Sequence, residues 1–191
     1  MNSKVSDAVL IAVVVAAGLF GWRQWSAVQR ARAANRALAL TSGWFPAARL
    51  AAREMISRYG PPQEVSSFEL RWHGPSPWKR IVVQNEPEAP LEDVVTYYVP
   101  PDKLPALTRF PHGLRVYAAE GALSARSDRE SLNLLALNLA NDIATGNLTP
   151  EEANSFFVRT RLLQESGKSS SYMERLLFEP GLKPDYAYPP P

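Results

Sequence analysis

The residues able to do acid–base or metal chemistry are few in this sequence and far apart. Cysteine is absent from the 191 residues, and the two histidines, His73 and His112, stand 39 positions apart. Neither has another histidine or a pair of carboxylates beside it at the spacing of metal ligands. Each is followed by glycine in a turn-like context, which is typical of a polar residue at a strand end. We therefore predict no metal site and no catalytic histidine.

Carboxylates and amides form two further groups. One is an acidic group in a proline-containing stretch, made of Glu86, Glu88, Glu92 and Asp93. The other lies at helical spacing and comprises Asn138, Asn141 and Asp142. Acid–base catalysis by paired carboxylates needs a convergent pocket, and a hard cation needs more than one carboxylate. We interpret the first group as a solvated loop and the second as a hydrogen-bonding face that fixes neighbouring loops.

Motifs for phosphate binding and nucleophilic catalysis are incomplete. Gly167-Lys168-Ser169 resembles the end of a phosphate loop, but position 162, where the motif requires glycine, is leucine. The glycine fingerprint of dinucleotide-binding folds and the G-x-S-x-G motif of hydrolases do not occur. The sequence therefore predicts a protein that is not an enzyme, with no cofactor and no small-molecule substrate.

Charge is unevenly distributed along the chain. The total of 21 basic and 19 acidic residues leaves a net charge of +2, which argues against a nucleic-acid partner. Residues 1–60 nevertheless contain eight basic and two acidic side chains, whereas residues 61–191 contain thirteen and seventeen. The pattern predicts a basic arm joined to a mildly acidic domain.

The run from Ala8 to Trp22 contains no charged residue. A helix of this length measures about 22 Å, which is shorter than the hydrocarbon core of about 30 Å. It reaches across the core only if it extends towards its charged flanks. With Trp22, Arg23 and Trp25 at the headgroup level, residues 1–24 are predicted to form a single membrane anchor. A cleaved signal peptide and a buried core helix remain alternatives.

The basic residues near this run predict its orientation. Lys4 precedes it, whereas Arg23, Arg30, Arg32 and Arg36 follow it. The positive-inside rule then places the domain on the cytoplasmic side of the inner membrane, in contact with the lipid bilayer. Residues 25–43 are predicted to form a basic, helical juxtamembrane arm, interrupted at Thr41-Ser42-Gly43.

The rest of the chain alternates between strand and helix signals. A helix is predicted from about 44 to 58, because Gly60 and two prolines follow it. Alternation predicts a strand at 68–72, and β-prone runs beside turn residues predict strands at 78–83, 94–99, 114–118 and 122–126, with a short helix within 101–110. Capping boxes predict helices after Ser127 and after Thr149, and a short helix follows at 172–178.

These elements predict an α+β fold: an N-terminal transmembrane helix, then a domain over 44–178 with an antiparallel sheet of about five strands packed against helices. The tail at 179–191 is rich in proline and tyrosine. The candidate partner contacts are aromatic, namely Trp72, Trp78, Tyr186 and Tyr188.

Functionally, we predict a non-catalytic accessory or assembly subunit of a larger bacterial membrane complex, for instance a respiratory or photosynthetic one. One alternative is a membrane-tethered hydrolase built around His112, Asp142 or the acidic loop. Another is a binding domain that faces the periplasm.

Overall fold

A computed structural model describes residues 25–181 of the chain. Its centre is a six-stranded antiparallel sheet in the order β1-β2-β3-β4-β6-β5. The strands are β1 (Glu64–Val65), β2 (Glu69–His73), β3 (Arg80–Gln84), β4 (Leu91–Thr96), β5 (Arg115–Tyr117) and β6 (Ala122–Ser127). Short connections join the consecutive neighbours, which makes those pairs antiparallel, and β4 and β6, which are not consecutive, also pair antiparallel.

The helices cover one face of this sheet. They are α1 (25–40), α2 (Pro46–Tyr59), α3 (Leu104–Thr108), α4 (Glu130–Thr145), α5 (Pro150–Glu165) and α6 (Ser171–Glu174). Two short 3₁₀ helices lie at Pro101–Lys103 and Ala118–Glu120. Glycines end two of these helices, because Gly60 and Gly146 have positive φ and directly follow α2 and α4.

Helix α4 forms the middle of the core. Twelve of its sixteen residues are buried, and it packs against β4, β6, α5 and α6. From the sheet, the side chains that face it include Leu91 and Val95 of β4, which belong to the same apolar cluster. Alternate residues of each strand therefore point into this core, and the remaining ones point to the helix-free side.

The fold prediction was wrong in two respects, although the α+β arrangement itself is observed. The sheet has six strands instead of about five, because the two-residue strand β1 pairs with β2. Within residues 25–181, no helix is long and apolar enough to cross a bilayer, which corrects the predicted transmembrane helix. The anchor itself was assigned to residues 1–24, and these lie outside the described residues.

Two local predictions also need correction. Ser127 does not cap α4, because Arg129 occupies the N-cap position without a side-chain hydrogen bond and Ser127 ends β6. The acidic stretch is not entirely a solvated loop, since Glu92 and Asp93 are buried in β4. By contrast, the capping box of Thr149 and Glu152 at α5 is confirmed.

Candidate docking surface

Strand alternation brings a group of charged side chains together on the face of the sheet that no helix covers. We call it the helix-free sheet face. An open groove of about 530 Å³ lies on it, lined by Glu69, Arg71, His73, Lys79, Arg80, Val82, Gln84, Glu92, Arg115, Tyr117, Glu120 and Arg126. Five of these side chains are basic and three are acidic, apart from the histidine. The groove is therefore polar and has an excess of positive charge.

Glu120 holds two of the basic side chains at one end of the groove. Arg80 donates to its carboxylate across 2.6 Å, and Lys79 Nζ lies 3.4 Å from the same oxygen. The hydrogen bond from Arg80 is the main reason why the pKa of Glu120 is below its usual value. The Arg80 guanidinium also lies 5.0 Å from the centre of the Tyr117 ring, in a cation–π arrangement.

Glu92 fixes the floor of the groove. Its Oε1 accepts hydrogen bonds from the Tyr117 hydroxyl at 2.8 Å and from Ser124 Oγ at 2.7 Å. At another edge, Arg71 donates to Glu69 across 2.6 Å. Arg115 differs from these side chains, because it is exposed and no acidic group among residues 25–181 lies within 4.0 Å of it.

A second cleft, of about 580 Å³, contains His112. His112 Nε2 lies 2.8 Å from Asn154 Oδ1, and the ring stacks on Phe157 with 3.6 Å between centroids. Burial is the main cause that lowers the pKa of His112, and the nearby Arg161 acts in the same direction. The histidine is thus held as a packed, hydrogen-bonded side chain.

The His112 cleft does not assemble a nucleophile and a base. Ser127 also lines it, but the Ser127 hydroxyl donates to the Arg129 carbonyl at 2.8 Å and not to the histidine. Asp142 does not line it, and accepts instead from the Tyr172 hydroxyl across 2.8 Å. His73, the other candidate, lies on the helix-free sheet face with Nε2 2.6 Å from Glu64.

The predicted aromatic contacts fall in different places. Trp72 and Trp78 are 1% and 3% exposed, so neither indole is available at the surface. Tyr186 and Tyr188, like Trp22 and Arg23, lie outside the described residues. The remaining predicted interface residues are exposed along α1, namely Trp25, Arg30, Arg32 and Arg36.

Two buried carboxylates were not predicted. Glu130 accepts hydrogen bonds from Arg58, from the Tyr59 hydroxyl and, at 2.9 Å, from Trp78 Nε1. Asp93 is fully buried beside Asn133. Neither carboxylate lines the two clefts described above, so both serve the interior of the fold.

The helix-free sheet face was also not predicted from the sequence. Its signal was present in β2 and β3, where Arg71 and Arg80 alternate with the buried Leu70, Trp72 and Ile81. Such alternation identifies the face of a strand that points away from the core, but not which strands become neighbours.

Among residues 25–181, no three histidine or acidic side chains are grouped in a way that would hold a metal ion. Comparisons with family models, with curated proteins and with solved structures found no match.

Proposed function

We propose that this chain is a non-catalytic accessory or assembly subunit of a larger protein complex at a membrane, and that the helix-free sheet face is its protein-docking surface. The observation that supports this most directly is the groove of about 530 Å³, in which the Arg80 guanidinium lies over the Tyr117 ring. Arginine and tyrosine are enriched at protein interfaces because each combines a large contact area with directed hydrogen bonds.

The groove is organised before a partner arrives. Glu120 and Tyr117 hold the Arg80 guanidinium, and Glu92 holds the Tyr117 hydroxyl. Side chains that are already ordered lose little conformational entropy on binding. The excess of basic residues and the exposed guanidinium of Arg115 favour a partner whose docking segment is acidic.

Site-specific photo-crosslinking tests the proposal in the full chain, in its native membrane fraction. A photoreactive phenylalanine analogue replaces Tyr117, and a matched probe replaces Leu162, an exposed residue on α5. We expect a discrete crosslinked protein from position 117 and none from position 162. The same products from both positions, or none from 117, would contradict the proposal.

A charge reversal makes the test specific to the groove. Arg115→Glu removes the exposed groove arginine that has no acidic partner within the described part of the chain, and should reduce the crosslink severalfold. Lys103→Glu, which makes the same charge change on the first 3₁₀ helix, serves as the control and should leave the crosslink intact. Equal yields from the two variants would exclude an electrostatic contribution of the groove.

A further inference from the structure

Helix α1 carries an exposed face that differs in composition from the rest of the domain. Ala37 of this helix is buried, and Ala34 and Leu38 pack against the core. With 3.6 residues per turn, the opposite side of the helix presents Trp25, Val28, Arg32 and Arg36, at intervals of three or four residues. We call these four residues the α1 outer face.

The α1 outer face combines large apolar and cationic side chains at the surface. Trp25 is 64% exposed and Val28 is 48% exposed, while both arginines are exposed as well. Exposed tryptophan next to arginine is unfavourable for a helix that only faces water, because the indole leaves a large apolar area unburied. The combination is typical of helices that lie in the headgroup region of a bilayer.

The surrounding charge is entirely of one sign. Residues 25–53 contain five arginines and no acidic residue, whereas residues 54–181 contain thirteen basic and seventeen acidic residues. The domain is therefore electrically polar, with its positive end at α1 and the beginning of α2. Near an anionic surface this distribution turns α1 towards the surface and the acidic body away from it.

From this juxtaposition we propose that the α1 outer face binds an anionic lipid surface peripherally, with Trp25 and Val28 among the headgroups and Arg32 and Arg36 on lipid phosphates. Arginine suits this contact because its guanidinium binds phosphate oxygens in pairs. Val28 favours lipid over nucleic acid, because an aliphatic side chain gains nothing by stacking on bases, whereas the aromatic Trp25 suits either partner. This contact is independent of the groove on the helix-free sheet face.

The absence of cysteine permits a single labelling site in the full chain. Val28→Cys carries an environment-sensitive fluorophore, and Val158→Cys on α5 is the matched control, because both valines are 48% exposed. The probes are phosphatidylcholine vesicles and vesicles with about one-third phosphatidylglycerol, each with nitroxide-labelled lipid that quenches nearby fluorophores. A local readout is used because it reports contact of the α1 outer face itself, whichever other part of the chain touches the vesicle.

We expect quenching at position 28 to be at least about threefold stronger on the anionic vesicles, and to decline with added salt. Position 158 should remain unquenched on both. Arg32→Glu with Arg36→Glu should abolish the difference between the vesicles, whereas Arg109→Glu with Lys168→Glu, the same charge change elsewhere on the domain, should preserve it.

Three results would overturn the proposal. The first is equal quenching at position 28 on both kinds of vesicle, which would make the contact independent of headgroup charge. The second is the absence of quenching on both. The third is displacement of the chain from anionic vesicles by single-stranded RNA at equal phosphate concentration, which would assign the face to nucleic acid.

Discussion

Asn133 on α4 donates a hydrogen bond from Nδ2 to Asp93 Oδ2 in β4 across 2.8 Å, inside the layer between helix and sheet. The other oxygen of each side chain, Asp93 Oδ1 and Asn133 Oδ1, is buried without a hydrogen-bond partner. Burying two acceptor oxygens without hydrogen-bond donors lowers the stability of the folded chain. A proton on Asp93 would supply the missing donor, so the neutral acid fits this site better than the carboxylate.

The environment of Asp93 acts in the same direction. The pKa of Asp93 is raised from 3.8 to about 7, mainly by burial and also by repulsion from Glu54 and Glu92. The hydrogen bond from Asn133 and the positive charge of Arg58 lower it by less. Because the folded chain holds this proton more tightly than the unfolded chain, the free energy of unfolding falls as the pH rises from about 4 to about 7.

We therefore predict that Asp93→Asn makes the protein more stable above pH 7 and less dependent on pH. The rise in the pKa of Asp93 from 3.8 to about 7 corresponds to at most about 4 kcal/mol of lost stability when this carboxyl ionises fully. Urea denaturation between pH 5 and pH 8 measures the effect, with urea midpoints compared at each pH. An identical pH dependence in the wild type and the variant would show that Asp93 keeps its ordinary pKa.

Gly113 provides a second prediction, because a side chain has no space there. Its φ is +70°, and a Cβ atom would lie 2.2 Å from the Arg126 carbonyl oxygen, while the Arg126 backbone N–H donates to the Gly113 carbonyl at 3.1 Å. Gly121 has a similar φ of +56°, but a Cβ atom there would meet nothing within 4 Å. Gly121→Ala should cost about 1 kcal/mol for its backbone conformation alone.

Gly113→Ala should cost about 2 kcal/mol more than Gly121→Ala, because backbone atoms of β6 must move. Thermal unfolding of both variants under identical conditions measures the difference. Equal losses of stability would mean that the loop before β5 moves away from Arg126 without strain.

Local signals in the sequence account for much of the fold. Helices α2, α4 and α5 were predicted because apolar residues recur at helical spacing between proline and glycine boundaries. The β2–β3 and β5–β6 hairpins were predicted from alternation or β-prone runs on either side of turn residues. Strand β1 was missed because Glu64 and Val65 are both exposed, so its two residues show no alternation. It exists only because β2 provides hydrogen-bond partners.

Buried polar residues were the main source of error. Glu92 and Asp93 were assigned to a solvated loop because carboxylates rarely lie in the core. Their partners, Tyr117, Ser124 and Asn133, are 25 to 40 positions away in the sequence. The helix-free sheet face escaped prediction for the same reason, since only the strand order brings its side chains together.

Arg58 forms one ion pair with a buried carboxylate and one with a more exposed carboxylate, so the contributions of the two pairs to stability can be compared. Arg58 pairs with the buried Glu130 and, at 3.4 Å, with the partly exposed Glu54. Glu130→Gln leaves the Tyr59 hydroxyl, Trp78 Nε1 and Arg58 sharing a neutral amide, and should cost about 3 kcal/mol. Glu54→Gln should cost less than about 0.5 kcal/mol, because water screens that pair.

Urea denaturation at pH 7 measures both carboxamide variants. If the two losses are similar, the buried network around Glu130 contributes no more than a surface ion pair. Burial is the main cause of the raised pKa of Tyr59, which indicates that this side of the network is shielded from water, whereas Arg58 is half exposed.

The Asn138 side chain on α4 hydrogen-bonds to the backbone of residues 172–177, and its removal should destabilise that segment selectively. Its Nδ2 donates to the carbonyls of Tyr172 at 3.0 Å and Arg175 at 2.8 Å, and its Oδ1 accepts from the Leu177 backbone N–H at 2.8 Å. Asn138→Ala leaves these backbone groups without partners, so amide hydrogen exchange at Leu177 should accelerate by at least about tenfold.

Asn141→Ala is the control on the same helix, because Asn141 bonds instead to the Tyr97 hydroxyl. Unchanged exchange at Leu177 in Asn138→Ala would mean that apolar packing alone, through Met173, holds the segment in place.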